Sequence, residues 1–270
     1  MSTYLIGDVH GCYNQLQALL NQVSFNKDKD ILWFTGDLIA RGSSSLEVLQ
    51  FIYSLGKVAK VVLGNHDLYL ISVYSGIKQS YACDNIVSLL QHPEIEIFID
   101  WLRNCPLVIV DEEKKLIMSH AGIFPYWNLS TALQYAREIE KYLKSDNYID
   151  FLSQMYGDIP DIWNINLTKF ELLRFSVNVF TRMRYCFLNG RLDFSCKTSP
   201  LSAPTNLLPW FLINTNIPTG YSIVFGHWST LRNVSTPKNI ISLDTGCCWG
   251  YELSMLRWED KMYFQQSFHT

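Results

Sequence analysis

Along the first third of the chain, short apolar runs alternate with stretches whose apolar residues recur every three or four positions. Thr3 to Ile6 predicts a strand, and behind it Leu16, Leu19, Leu20 and Val23 form the stripe of a helix packed on one face. Ile31 to Phe34 predicts a second strand. The helix after it, carrying Leu46, Leu49 and Ile52, is expected to open on a capping box, Ser44-x-x-Glu47. Val58 to Leu63 is the third strand, with a helix-like run from Leu68 to Val73 behind it. This rhythm implies right-handed crossovers and a largely parallel sheet whose ligands collect at the carboxyl ends of the strands.

Further strands are expected at Leu107 to Val110 and Leu116 to Ser119, then at Ser222 to Phe225, Ile240 to Leu243, Leu253 to Trp258 and Met262 to Gln265. The last four, rich in aromatic and turn residues, predict a second, mixed sheet packed on the first. Between about 125 and 215 the texture changes. Leu133, Ala136, Ile139 and Leu143 make a helical stripe, Phe151 to Tyr156 and Phe170 to Phe180 predict more helix, and Pro200 to Pro209 reads as loop. This segment is expected to be a mainly helical insertion over the rim of the sheet, within a single domain covering residues 1–270.

Composition narrows the class. Apolar residues make up 48% of the chain, charged residues 17%, and the net charge is -3, which argues against disorder and against a broad attraction to nucleic acid or anionic membrane. No apolar run approaches the length of a membrane span, and the N-terminus meets Asp8 without a basic segment. Seven cysteines, an odd set without CxxC spacing, fit a reducing compartment, so the expected location is the cytoplasm.

Candidate chemistry sits where the strands stop. LIGDVHGC delivers Asp8 and His10, GDLIARG delivers Asp37, and GNHD delivers Asn65, His66 and Asp67. His120, in IMSHAG, and His227, in VFGHW, occupy the same kind of position, so four of the six histidines lie just beyond predicted strands. Core periodicity gives no reason to gather them there. Carboxylates crowded in a cleft repel one another and drive their own pKa values upward. Two divalent metals, which carboxylates and imidazoles hold about 3.5 to 4 Å apart in phosphatases and nucleases, remove that conflict. The Asp, Asn and His donors, with no cysteine, suit Mn²⁺, Fe or Co.

GDVHG, GDLIARG, GNHD, SHAG and FGHW, in that order, resemble the calcineurin-like metallophosphoesterases, in the branch shared by phosphoprotein phosphatases and symmetrical diadenosine tetraphosphatases. The resemblance implies a four-layer α/β/β/α sandwich. It also implies that Asp8, His10 and Asp37 hold one metal and that Asp37, Asn65, His120 and His227 hold the second, with Asp37 bridging. In that family a metal-bridging hydroxide attacks phosphorus in line and the histidine of the GNH motif, here His66, assists the leaving group. Arg41 is the candidate to hold a phosphate oxygen through a forked contact. Protein phosphatases carry Asp before that arginine, where it orients the GNH histidine; this chain has Ala40, and Asp67 is the nearest candidate to replace it.

The AR-G form, with SHAGIFPYW, VNVFTRMRYC, VFGHWSTL and SLDTGCCWG, is similar to the symmetrical diadenosine tetraphosphatases over nearly the whole length. That resemblance implies cleavage of P1,P4-bis(5'-adenosyl) tetraphosphate into two ADP, with Arg182 or Arg184 binding the rest of the phosphate chain. Tyr126, Trp127, Trp228 and Trp249 are aromatic candidates for base stacking, weighed against ordinary packing. A dinucleoside polyphosphate is the expected partner, and the 5' cap of an RNA would present the same phosphate chain. No basic stripe predicts a stable nucleic-acid partner. The competing readings are a phosphoprotein phosphatase, disfavoured by Ala40, and a catalytically silent nucleotide-binding regulator.

Overall fold

The computed structural model describes residues 1–213 and 216–269. In chain order its strands are β1 (Thr3–Ile6), β2 (Ile31–Phe34), β3 (Ala59–Val61), β4 (Val108–Asp111), β5 (Leu116–Ser119), β6 (Tyr185–Cys186), β7 (Leu192–Asp193), β8 (Leu208–Pro209), β9 (Ser222–Phe225), β10 (Ile240–Ser242), β11 (Glu252–Arg257) and β12 (Met262–Ser267). The helices are α1 (Tyr13–Gln22), α2 (Ser45–Ser54), α3 (Asn65–Tyr74), α4 (Val87–Leu90), α5 (Ile95–Asn104), α6 (Leu129–Lys144), α7 (Tyr148–Met155) and α8 (Lys169–Arg182).

Alternation along each strand explains how these elements stack. In β1, Leu5 points to one face while Tyr4 and Ile6 point to the other; in β2, Trp33 opposes Leu32 and Phe34 in the same way. Leu5, Trp33, Leu116, Met118, Val224 and Leu256 meet in one apolar cluster, the seam between two sheets, while the opposite faces join the larger core under the helices. One sheet has the order β12-β11-β1-β2-β3 and the other the order β10-β9-β5-β4. The result is the expected layered α/β sandwich, with helices outside two facing sheets.

β1, β2 and β3 are parallel, as the strand-then-helix rhythm predicts, but the late strands do not form a sheet of their own. β9 and β10 run parallel beside β5 in the second sheet, whereas the antiparallel pair β11 and β12 extends the first sheet beyond β1. The reason is long-range pairing: Tyr4 lies opposite Arg257, a match that no local pattern encodes. Between β5 and β9 lie α6, α7 and α8, which pack on one another, and a small three-stranded sheet, β7-β6-β8, that the loop reading of Pro200 to Pro209 overlooks. The expected boundary at Thr215 falls outside the described residues.

The capping box at Ser44 does not form. Ser44 stands at the N-cap of α2 but its side chain accepts no capping bond. The neighbouring Ser45 hydroxyl instead takes the Ala40 N–H at 3.1 Å, tying the helix start to the loop after β2.

Candidate metal centre

Asp8 and His10 lie in the loop after β1, Asp37 in the loop after β2, Asn65 and His66 at the first turn of α3, His120 after β5 and His227 after β9. The structure brings all of these into one place at the carboxyl ends of strands from both sheets. They line a cavity of about 260 Å³, His120 lying just behind it against Asp37 and Asn65.

Backbone bonds lock the first two loops together. The His10 N–H donates to the Asp37 carbonyl and the Gly11 N–H to the Leu38 carbonyl, both at 2.9 Å, while the Gly42 N–H returns to the His10 carbonyl at 2.9 Å. His10, Asp37, Ala40, Arg41 and His227 all have positive φ, between 45° and 71°. Non-glycine residues rarely adopt that region, and five of them in the loops that carry Asp8, Asp37 and His227, three of them lining the cavity, mark strain held in place by the surrounding fold. Gly64 makes the approach of α3 possible, because a methyl group there would collide with the Asp37 carboxylate. The first turn of α3 then donates the His66 N–H to Asp37 Oδ1 at 2.8 Å, placing an anion at a helix N-terminus.

The donor atoms converge as metal ligands do. His10 donates Nδ1–H to the Ile39 carbonyl at 2.9 Å, which leaves the Nε2 lone pair 3.5 Å from Asp37 Oδ2. His120 donates Nδ1–H to the Thr35 carbonyl at 2.8 Å, and its Nε2 faces Asp37 Oδ2 at 3.4 Å and Asn65 Oδ1 at 3.1 Å. Acceptors at both nitrogens would demand a doubly protonated ring, yet burial lowers the His120 pKa to about 3. A cation between Nε2 and its neighbours removes the conflict. Buried Nε2 of His227 and Nδ1 of His66 likewise have no hydrogen-bond partner. The ligand-bearing atoms form two groups, His10 with Asp37 and His66, and Asp37 with His120 and His227.

Electrostatics point the same way. Burial, then repulsion from Asp244 and Asp37, holds the Asp8 carboxyl well above the usual range. Burial and Asp67 do the same to Asp37. Burial lowers His10 to about 4 and pushes His66 and His227 well below the ordinary imidazole value. The imidazoles therefore stay neutral beside crowded carboxylates whose charge the Arg184 guanidinium offsets only in part. A neutral imidazole with a free lone pair beside a partly compensated carboxylate is the donor set a divalent cation fits. Asp8 is otherwise fixed by the Thr35 hydroxyl and the His227 N–H, each at 2.8 Å.

Asp67 does not replace the aspartate missing at Ala40. Fully buried, its carboxylate accepts from the backbone N–H groups of Asp37 at 2.8 Å, Gly64 at 2.9 Å and Leu38 at 3.1 Å, and it makes no hydrogen bond to the His66 ring among the described residues. It pins the Asp37 loop to α3. Arg41 reaches the rim, with Nη1 3.5 Å from Asp84 Oδ1 and its guanidinium 5.7 Å from the Trp249 ring.

The two arginines of FTRMRYC separate because α8 ends between them. Arg182, still helical, pairs with Asp158 at 2.8 Å and Asn178 at 2.9 Å, outside the cavity lining. Arg184 enters the cavity, anchored by a 2.9 Å bond to the His227 carbonyl. Of the aromatic candidates, Trp127 is buried in a packing cluster and the Tyr126 hydroxyl is bonded to the Leu188 carbonyl; Trp228, buried, and Trp249, exposed, both line the cavity. Asp244 and Lys197 also line the cavity and went unnoticed in the sequence. Asp244 carried a readable signal, a carboxylate two residues past β10; burial pushes it up to about 6.

A family model for calcineurin-like phosphoesterases matches residues 1–228. A symmetrical bis(5'-nucleosyl)-tetraphosphatase of Proteus mirabilis (strain HI4320) is 56% identical over 266 residues, covering 98% of this chain and 97% of that protein. One of the same name from Pectobacterium carotovorum subsp. carotovorum (strain PC1) is 55% identical over 267 residues, covering 99% and 95%. Among solved structures, a candidate diadenosine tetraphosphatase superposes with a TM-score of 0.61 at 21% identity, over 98% of this chain and 93% of that one. A protein serine/threonine phosphatase from Saccharomyces cerevisiae gives 0.53 at 14%, over 99% and 79%. At such identities the structural likeness speaks for the fold alone.

Proposed function

Because this chain belongs to the calcineurin-like phosphoesterase family, we propose that it hydrolyses P1,P4-bis(5'-adenosyl) tetraphosphate symmetrically into two ADP, the activity for which its relatives are named. The observation that carries this reading is Asp37, whose carboxylate belongs to both groups of ligand atoms. A shared carboxylate is what two neighbouring cations require. Asp8, His10 and Asp37 would hold one ion, and Asp37, Asn65, His120 and His227 the other. The donors suit Mn²⁺, with Co²⁺ or Fe as alternatives. Bound there, the cations supply a nucleophile at neutral pH and offset charge on the attacking and leaving oxygens of the phosphate chain.

The chain's own groups bind and orient. Arg184, held rigid by the His227 carbonyl, turns its remaining N–H groups toward phosphate oxygens, and Arg41 offers a second guanidinium at the rim. His66, kept neutral by burial, would hydrogen-bond a leaving oxygen. We read the segment from about 125 to 215 as an insertion in a single domain of residues 1–270, contributing Arg184 and Lys197 to the pocket. No helix among the described residues is long and apolar enough to cross a membrane, and the seven free thiols fit a cytoplasmic setting. A nucleoside tetraphosphate cap on RNA would enter the site by the same phosphate chain.

Product analysis tests the reading. Incubation with the dinucleotide and Mn²⁺ should release ADP alone. AMP with ATP, or turnover of a phosphopeptide but not of the dinucleotide, would refute it.

A further inference from the structure

We propose that Trp249 forms the stacking wall of a subsite for one nucleoside of the substrate, in a second groove that opens from the metal cavity; the proposal rests on the dinucleotide reading above. This groove, about 400 Å³, is lined by Ser229, Thr230, Arg232, Asn233, Trp249 and Tyr251. Ser229, Thr230 and Trp249 line the metal cavity as well, so the two spaces are continuous. A ligand whose phosphates lie among the metal-binding side chains can run directly into it.

Local sequence explains why an indole stands there. In Asp-Thr-Gly-Cys-Cys-Trp-Gly, Gly246 and Gly250 have φ of 79° and 89°, and they bracket a single 3-10 turn, Cys247–Trp249. The turn sends Cys247 into the core at 2% exposure and Trp249 outward at 58%. No other tryptophan among the described residues is exposed. Nothing in the packing requires so large an apolar surface in water, and its position at the junction of the two spaces gives it a use.

The groove's other groups suit a base joined to a phosphate chain. Arg232 lies 3.8 Å from the Tyr251 ring centroid and 3.4 Å from Glu252 Oε2, giving a fixed cationic and aromatic floor. The Arg41 guanidinium lies over one face of the indole, 5.7 Å from its centroid. A flat base stacked on Trp249 would cover the exposed indole while its phosphates extend toward Arg184. Trp127 lines neither space, and Trp228 borders the metal cavity but is only 1% exposed, against 58% for Trp249.

The test compares wild type, Trp249→Ala and Trp249→Phe, all loaded with Mn²⁺, using ADP and inorganic phosphate as competitive inhibitors. Loss of one base stack should weaken ADP inhibition about tenfold in the alanine variant and raise KM for the dinucleotide in parallel. Phenylalanine should restore both to within about threefold, and inhibition by phosphate should be the same in all three proteins. ADP inhibition as strong in Trp249→Ala as in wild type overturns the subsite. So does a parallel loss for ADP and phosphate, which would mean that Trp249 supports the metal cavity or serves another partner. Both results leave the dinucleotide reading standing; failure of the wild type to release ADP removes the reading and the subsite together.

Discussion

Replacing Asp67 by asparagine separates a structural carboxylate from a chemical one. In the wild type its two oxygens take three buried backbone N–H groups, at 2.8, 2.9 and 3.1 Å. An amide can keep its oxygen on the Asp37 and Gly64 donors, but its NH₂ then faces the Leu38 N–H, donor against donor. Leaving that N–H unsatisfied costs about 1–3 kcal/mol, and the two retained bonds fall from charge-assisted to neutral strength, about 1 kcal/mol more together. Part of this is returned by removing a carboxylate that burial has already pushed up to about 6. The net expectation is a loss of about 2 kcal/mol in urea unfolding of the metal-free protein. Because two of the three donors belong to the loop that holds Asp37 at φ 48°, Mn²⁺ affinity should also fall by about ten- to hundredfold. At saturating Mn²⁺, kcat should stay within about threefold of wild type, since the carboxylate does not touch the His66 ring. Unchanged unfolding and metal affinity with a collapsed kcat would refute this reasoning and return Asp67 to the role of partner to His66.

Three further outcomes are expected. Gly226→Ala would drive a methyl group into the Asp8 carboxylate and to 2.7 Å from Thr35 Oγ1; Mn²⁺ titration should show at least a roughly tenfold loss with circular dichroism unaltered. Arg184→Met should raise KM for the dinucleotide about tenfold, whereas Arg182→Met, which breaks a half-exposed pair, should leave KM within about twofold and cost no more than about 1 kcal/mol; the reverse pattern would contradict the assignment. In protein stripped with EDTA, Asp8 and Asp37 bind protons to higher pH than ordinary carboxylates, while His10 and His120, lowered to about 4 and 3, hold no extra proton near neutrality. Mn²⁺ binding should therefore release protons from carboxylates in increasing number as pH is lowered, over a range that begins above that of ordinary carboxylates, read by calorimetry in buffers of different ionisation enthalpy. A release that shrinks over that range would contradict the raised carboxylates.

The strand-end ligands were legible because each comes in a short contiguous motif and because β1, β2 and β3 follow the strand-then-helix order. Sheet membership of β9 to β12 was not, since strands separated by most of the chain pair by register and not by local pattern. α5 was open to the same reading as the earlier helices, since Ile95, Phe98, Ile99 and Leu102 recur at three and four positions and are the residues it buries. The choice between Arg182 and Arg184 depended on where α8 stops, a boundary sequence places only to within a few residues. Asp67 looked like a partner for His66 because the two are adjacent in sequence, but consecutive helical residues point in different directions, and its carboxylate went to the backbone.

β1, the strand that leads to Asp8, is flanked by β2 on one side and by β11 on the other. The Thr3 N–H is held by the Glu259 carboxylate, 256 positions away. During translation the earliest strand thus waits for nearly the last, its unpaired edge open to self-association until residues beyond 250 have left the ribosome. A chain cut before β11 would therefore leave the strand that leads to Asp8 with one open edge, and is expected to lose the metal cavity along with that pairing.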